Sequence, residues 1–105
     1  MVQIPVSVKN FVRRLKKTIR PTSVLLFGSR ATGRAGPDSD YDILIVSDTF
    51  RSVSPHIRAT NVYKFHDGSF PLEVVCLTPA EFKSFKHKPT IVREAVKQAV
   101  PIAIT

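Results

Sequence analysis

The chain has one cysteine, no tryptophan, four glycines and half as many acidic as basic residues, and each scarcity excludes something. A lone cysteine, Cys76, rules out an internal disulfide, and its apolar neighbours make it a buried reduced thiol rather than a nucleophile or ligand. No apolar run approaches the roughly 20 residues that span a bilayer. Met1 to Asn10 alternates polar and apolar residues without the core of a signal peptide, so a cytoplasmic protein with no membrane partner is expected. The histidines, His56, His66 and His87, lack metal-ligand spacing and read as surface or helix-end residues. No repeat, low-complexity tract or linker interrupts the chain. Its 105 residues, 43% of them hydrophobic, suffice for one core, and residues 1–105 are expected to form a single domain.

The shortage of acids leaves 8 Asp and Glu against 16 Lys and Arg, a net charge of +8. Such an excess attracts phosphate through counterion release. It does not single out nucleic acid, because Arg13, Arg14, Lys16 and Lys17 fall on what reads as the solvated face of a helix. ATP or an acidic protein would be attracted equally. The aromatics are mainly phenylalanines at core spacing, without the basic and aromatic interleaving of a base-stacking surface, which argues mildly against a nucleic-acid partner.

Hydrophobic spacing and capping residues outline the elements. Ser7 is expected to cap a helix in which Val8, Phe11, Val12, Leu15 and Ile19 recur at helical spacing and which Pro21 closes. Ser23 to Phe27 reads as a buried strand ended by Gly28. After Ser29 a short helical turn gives way to a loop through Gly33, Gly36 and Pro37, and Tyr41 to Val46, apolar on both faces, reads as a central strand. Ser54-Pro55 starts a helix running from His56 to Phe65, and a third strand covers Leu72 to Leu77. Thr78-Pro79-Ala80-Glu81 then supplies a cap, a first-turn proline and a capping-box glutamate for a helix presenting Phe82 and Phe85. A last helix, Thr90 to Val100, is predicted to turn Val92, Ala95, Val96 and Ala99 inward and to stop at Pro101. Ile102 to Ile104 form either a short edge strand or a frayed end.

Chemistry concentrates in Gly28-Ser29-Arg30-Ala31-Thr32-Gly33 and Ser39-Asp40-Tyr41-Asp42. A glycine after a strand lets the backbone approach a phosphate closely, and Ser29 offers an amide and a hydroxyl at the start of a helical turn. Asp40 and Asp42, two apart at the start of an extended segment, leave the same strand face. Like charges this close either share a proton or take a cation between them, and hard oxygen ligands suit magnesium carried in with nucleotide phosphates. Glu73 lies inside an apolar run, where an unpaired charge is costly to bury. If its strand pairs beside Tyr41 to Val46, Glu73 projects toward Asp40 and Asp42 and completes a cluster able to hold two metals and deprotonate a hydroxyl. Each feature also has a plain reading: Gly-Ser as a turn, Asp-x-Asp as a strand-entry turn, Glu73 as an edge-strand charge or the partner of an arginine. Tyr63 reads as a half-buried helix tyrosine, with modification of its hydroxyl as the alternative.

At these positions the chain resembles the minimal nucleotidyltransferases of the DNA polymerase β superfamily, whose signature is Gly-Ser, ten residues, then Asp-x-Asp. Here Gly28-Ser29 is followed by the ten residues Arg30 to Ser39 and by Asp40-Tyr41-Asp42. The resemblance extends to Leu26-Phe27-Gly28-Ser29-Arg30-Ala31, to Asp38 through Val46 and to Leu72 through Phe82. It implies an α/β nucleotidyltransferase fold, a mixed central sheet of three to four strands flanked by helices. The implied reaction is magnesium-dependent transfer of a nucleoside monophosphate, AMP from ATP, to a hydroxyl, using two Mg2+ ions brought in with the nucleotide.

Carried over residue by residue, Gly28 and Ser29 contact the β and γ phosphates, Arg30 is a further phosphate contact, and Asp40 and Asp42 ligate metal. Glu73 takes the place of a third acid, usually aspartate, which binds metal and activates the acceptor. Its extra methylene shifts the carboxylate by about a bond length, and catalytic geometry tolerates little misplacement. The resemblance further implies the antitoxin half of two-protein modules whose other half is a HEPN-domain toxin modified on a tyrosine. With no room for an acceptor-binding domain, a HEPN subunit or a second copy of the chain has to complete the site. The alternatives are a catalytically weak domain that binds nucleotide or partner, and nucleotide addition to a nucleic-acid end.

Overall fold

The computed structural model describes residues 3–86, 93 and 96–104. Helix α1 (Val6–Leu15) is followed by strand β1 (Ser23–Phe27), the short helix α2 (Ser29–Thr32), strand β2 (Tyr41–Val46) and a 3-10 turn at Asp48–Phe50. Helix α3 (Pro55–Tyr63), strand β3 (Leu72–Leu77), helix α4 (Pro79–Lys86) and the two-residue strand β4 (Val100–Pro101) complete the order. The strands form one mixed sheet in the order β3-β2-β1-β4, β2 running antiparallel to β1 and parallel to β3. The α/β class and the mixed sheet flanked by helices are as the sequence led one to expect.

Alternation along the strands sorts their side chains into two layers. Val24 and Leu26, Ile43 and Ile45, and Leu72 and Cys76 face α1 and join Val8, Phe11, Val12 and Leu15 in the larger core. On the other side Leu25, Phe27, Leu44, Val46, Val75 and Leu77 pack with Phe82 and Phe85 of α4. Asp42 and Glu73 belong by alternation to this second face, at the end where its apolar residues give out. Cys76 is buried and unpaired, and burial pushes its thiol pKa up to about 12.

Three boundaries differ from the sequence reading. Helix α1 starts at Val6 under Pro5, whose carbonyl accepts the Val8 and Lys9 amides, so Ser7 lies inside the first turn and caps nothing. With φ of −60° and ψ of 152°, Pro5 is the extended residue before the first turn, and the helix begins on its carbonyl without a hydroxyl cap. The helix also ends at Leu15, and Ile19 reaches the core from the turn beyond it. Val100, expected to end a helix, is a strand residue paired with Leu26, and the Ile102 amide extends the ladder to the Val24 carbonyl at 2.8 Å. Residues 90–92, 94 and 95 of the Thr90 to Val100 segment, Val92 and Ala95 among them, and also His87, lie outside the described residues.

The capping box is formed as written: the Glu81 amide donates to Thr78 Oγ1 and the Thr78 amide to Glu81 Oε1, at 3.2 and 2.8 Å. Glu81 also receives Arg58 of α3 at 2.6 Å, a buried arginine that donates further to the Val53 and Cys76 carbonyls at 2.7 and 3.1 Å. His66 is half-buried among Phe11, Tyr63 and Phe70 and hydrogen bonds the Phe70 carbonyl, so packing accounts for it. No helix among the described residues is long and apolar enough to cross a membrane.

Candidate active site

Parallel pairing of β2 with β3 brings the two segments of acidic sequence to one edge of the sheet. The register sets Asp42 opposite Glu73 on one side and opposite Phe27 on the other, with Gly28 following Phe27 directly. The turn bearing Ser29 and the acid-bearing strand therefore meet at the same place. Asp40, the residue before β2, joins them from the loop end, and it and Glu73 are exposed while Asp42 is half-buried.

Close packing of this turn on the acid shows at Gly28. Its φ of 71° and ψ of −157° belong to a backbone region that is essentially glycine's alone. A Cβ built there would lie 2.2 Å from Asp42 Oδ2. Glycine is thus required both by torsion and by the carboxylate pressed against it. Helix α2 is only four residues long, so its dipole adds little, and the anion-binding capacity rests on first-turn amides that have no partner within the helix, together with the Ser29 hydroxyl.

The electrostatics single out Asp42. Burial, then the charge of Asp40, then that of Glu73 raise its pKa above the ordinary carboxyl value. The chain's arginines do not relieve this crowding. Arg14 pairs with Asp67, Arg51 with Asp48 and Arg58 with Glu81, whereas no described residue hydrogen bonds or pairs with Asp40, Asp42 or Glu73. In a protein of net charge +8, three neighbouring carboxylates without a cationic partner among the described residues repel one another.

Arg30 stands beside the acids and spends its guanidinium on the backbone. Nε and Nη2 donate to the Ser39 carbonyl at 3.1 and 2.8 Å, Nη2 also reaches the Pro37 carbonyl at 3.2 Å, and Cζ lies 4.5 Å from the Tyr41 ring centroid. Tyr63 donates its hydroxyl to the Leu72 carbonyl at 3.0 Å, and burial and the nearby Glu73 charge raise its pKa. Neither backbone contact has a sequence signal, since each joins residues that no periodicity relates.

The donor set is hard oxygen, crowded and short of positive charge, which is the chemistry a magnesium ion satisfies. Among the described residues no three His, Cys, Asp or Glu side chains are drawn together tightly enough to hold an ion as they stand. Magnesium would therefore be held by Asp40, Asp42 and Glu73 only after the two exposed side chains turn inward.

Strand, tight glycine turn, unpaired acids on the adjoining strand and a third acid in register define a nucleotide-handling α/β domain. The particular family follows from comparison: residues 7–100 match the family model described as nucleotidyltransferase domain, and the chain belongs to that family. Among solved structures it is similar to a protein from Sulfolobus solfataricus whose own nucleotidyltransferase assignment is provisional. That match has a TM-score of 0.66 and 25% identity over 90% of this chain and 75% of that one. It also shares its fold with BolA1 from Arabidopsis thaliana, at TM-score 0.57 and 23% identity over 74% of this chain and 98% of that one. The BolA domain of SufE1 from the same plant gives 0.57 and 24% over 75% and 99%. These last two likenesses concern the fold alone. No curated protein matches the chain.

Proposed function

We propose that this nucleotidyltransferase domain, a single domain over residues 1–105, transfers AMP from ATP, with magnesium, to a hydroxyl on a partner protein such as a HEPN-domain toxin. The observation that carries the reading is the trio Asp40, Asp42 and Glu73, with no cationic partner among the described residues, at the foot of a glycine turn that fits only as glycine. Gly28 and Ser29 seat the β and γ phosphates. Asp40, Asp42 and Glu73 would hold magnesium, which would supply positive charge to the triphosphate. The acceptor oxygen bonds to the α-phosphorus, the α–β phosphoanhydride bond breaks, pyrophosphate leaves, and Glu73 takes the hydroxyl proton. The exposure of Asp40 and Glu73 supports an acceptor arriving on a separate surface.

A second reading, nucleotide or partner binding with little turnover, is supported by the exposure of Asp40 and Glu73, which with Asp42 form no ion site as they stand, and by the longer reach of Glu73. One experiment separates the two. The protein is incubated with α-labelled ATP, Mg2+ and a candidate partner, beside its Asp42→Asn variant. Magnesium-dependent label on the partner, lost in the variant, is the expected result. Magnesium-dependent ATP binding without label leaves the second reading, and label persisting in Asp42→Asn removes the carboxylates from the mechanism.

A further inference from the structure

The outer two acids of the cluster are exposed, yet the main chain that carries each is gripped next to the acid by a side chain from another element. Around Asp40 the grip is Arg30. Its guanidinium holds the carbonyl of Ser39, the residue before, through two donors and lies over the ring of Tyr41, the residue after. Around Glu73 the grip is Tyr63. Its hydroxyl donates to the carbonyl of Leu72, the residue before, at 3.0 Å.

The need for two clamps follows from topology. Asp42 sits on a strand paired on both sides, so its backbone is fixed by the sheet. Glu73 is on β3, the outermost strand of the order β3-β2-β1-β4, where one row of backbone groups has no strand neighbour. The Tyr63 hydroxyl occupies that vacant ladder position next to Glu73. Asp40 precedes its strand and has no ladder bond of its own, while the Tyr41 amide after it is tied to the Pro71 carbonyl at 2.9 Å. Arg30 supplies the tie on the preceding side. Without these ties, repulsion from Asp42 would push both segments outward.

We propose that Arg30 and Tyr63 are positioning residues that fix the backbone beside Asp40 and Glu73, so that a divalent cation gathers the three carboxylates by side-chain rotation alone. The inference rests on the metal-dependent reading given above. Groups that orient metal ligands typically change metal affinity by roughly 10- to 100-fold when removed, and backbone clamps on flexible ligands belong at the lower end of that range.

The test is direct titration of the protein with Mn2+, free ion being read by electron paramagnetic resonance, with circular dichroism melting curves recorded alongside. Tyr63→Phe removes the hydroxyl and no charge. Arg30→Lys keeps the charge and loses the forked grip on Ser39. Each is expected to weaken Mn2+ binding roughly tenfold with folding retained, and the double variant to multiply the two losses. Mn2+ binding as tight as wild type in both variants, with none in Asp42→Asn, overturns the positioning role and leaves the metal site standing. Full binding in Arg30→Lys with loss in Arg30→Met assigns Arg30 a purely electrostatic part and overturns its half of the proposal. Absence of Mn2+ binding in the wild type removes the metal reading and this inference with it.

Discussion

At the carboxyl ends of β2 and β3 polar groups are closed on one another, whereas at the amino ends three carboxylates stand open. The Ser47 hydroxyl meets the Ile19 carbonyl and Thr49, Thr78 and Glu81 exchange hydrogen bonds, and Arg58 threads the Val53 carbonyl, the Cys76 carbonyl and Glu81 together. At the opposite end Asp40, Asp42 and Glu73 crowd one another, and Asp42 holds its proton more tightly for it. Two parallel strands thus carry one end built for stability and another that gives some of it up. That division is expected where a site must bind charge it does not itself neutralise.

The largest departure from this picture should come from Gly28→Ala, which puts a methyl into the Asp42 carboxylate. Misplacing a reacting group by an ångström costs about 100-fold in rate, so nucleotidyl transfer should fall at least that far. Strain in a glycine-only torsion adds about 1–3 kcal/mol of destabilisation, read from urea unfolding. Wild-type activity in this variant would show that the glycine turn and the acid need not touch. Glu81→Ala attacks the closed end. A fully buried pair loses about 3–5 kcal/mol when one partner goes. Because the Glu81 side chain is 40% exposed, roughly 2–3 kcal/mol is expected, with activity per folded molecule retained.

Thr78→Ala at the same end should cost about 1 kcal/mol, the usual worth of a helix cap, and leave magnesium dependence untouched. The smallest effect has the opposite sign. A carboxyl with a raised folded pKa binds its proton more tightly folded than unfolded. Asp42 therefore favours folding most below the ordinary value of 3.8, and that contribution is lost as pH rises through the raised value. Asp42→Asn should melt slightly above the wild type at pH 7 without metal, and the difference should vanish near pH 3 or on adding Mg2+ to the wild type. A variant that melted lower at pH 7 would mean the carboxylate is stabilising, contrary to the open-end description.

The strands were legible because burial on one or both faces leaves a pattern in consecutive residues. Ser23 to Phe27, Tyr41 to Val46 and Leu72 to Leu77 are strands at those bounds, and the Thr78 to Glu81 cap is present atom for atom. The approach of Glu73 to Asp42 was conditional on β3 lying beside β2, a fact of topology that spacing cannot encode. Arg58 was legible only as a basic residue and Arg30 only as a phosphate contact, neither as a backbone tie. Their partners are main-chain carbonyls of distant residues, and carbonyls are present at every position, so no side-chain pattern announces which will be chosen. Val100 misled for a related reason: it sits at an element's end, where one tertiary contact outweighs local preference.

The strand that leads into Gly28 is zipped on its free side by Val100, Pro101 and Ile102, residues far downstream. Part of the support of the strand that ends in this glycine turn thus waits for a piece of chain that arrives late. A product cut short before Val100 would leave an apolar strand edge bare, an invitation for another molecule's backbone to dock, and aggregation rather than idle monomer is the fate of such a fragment.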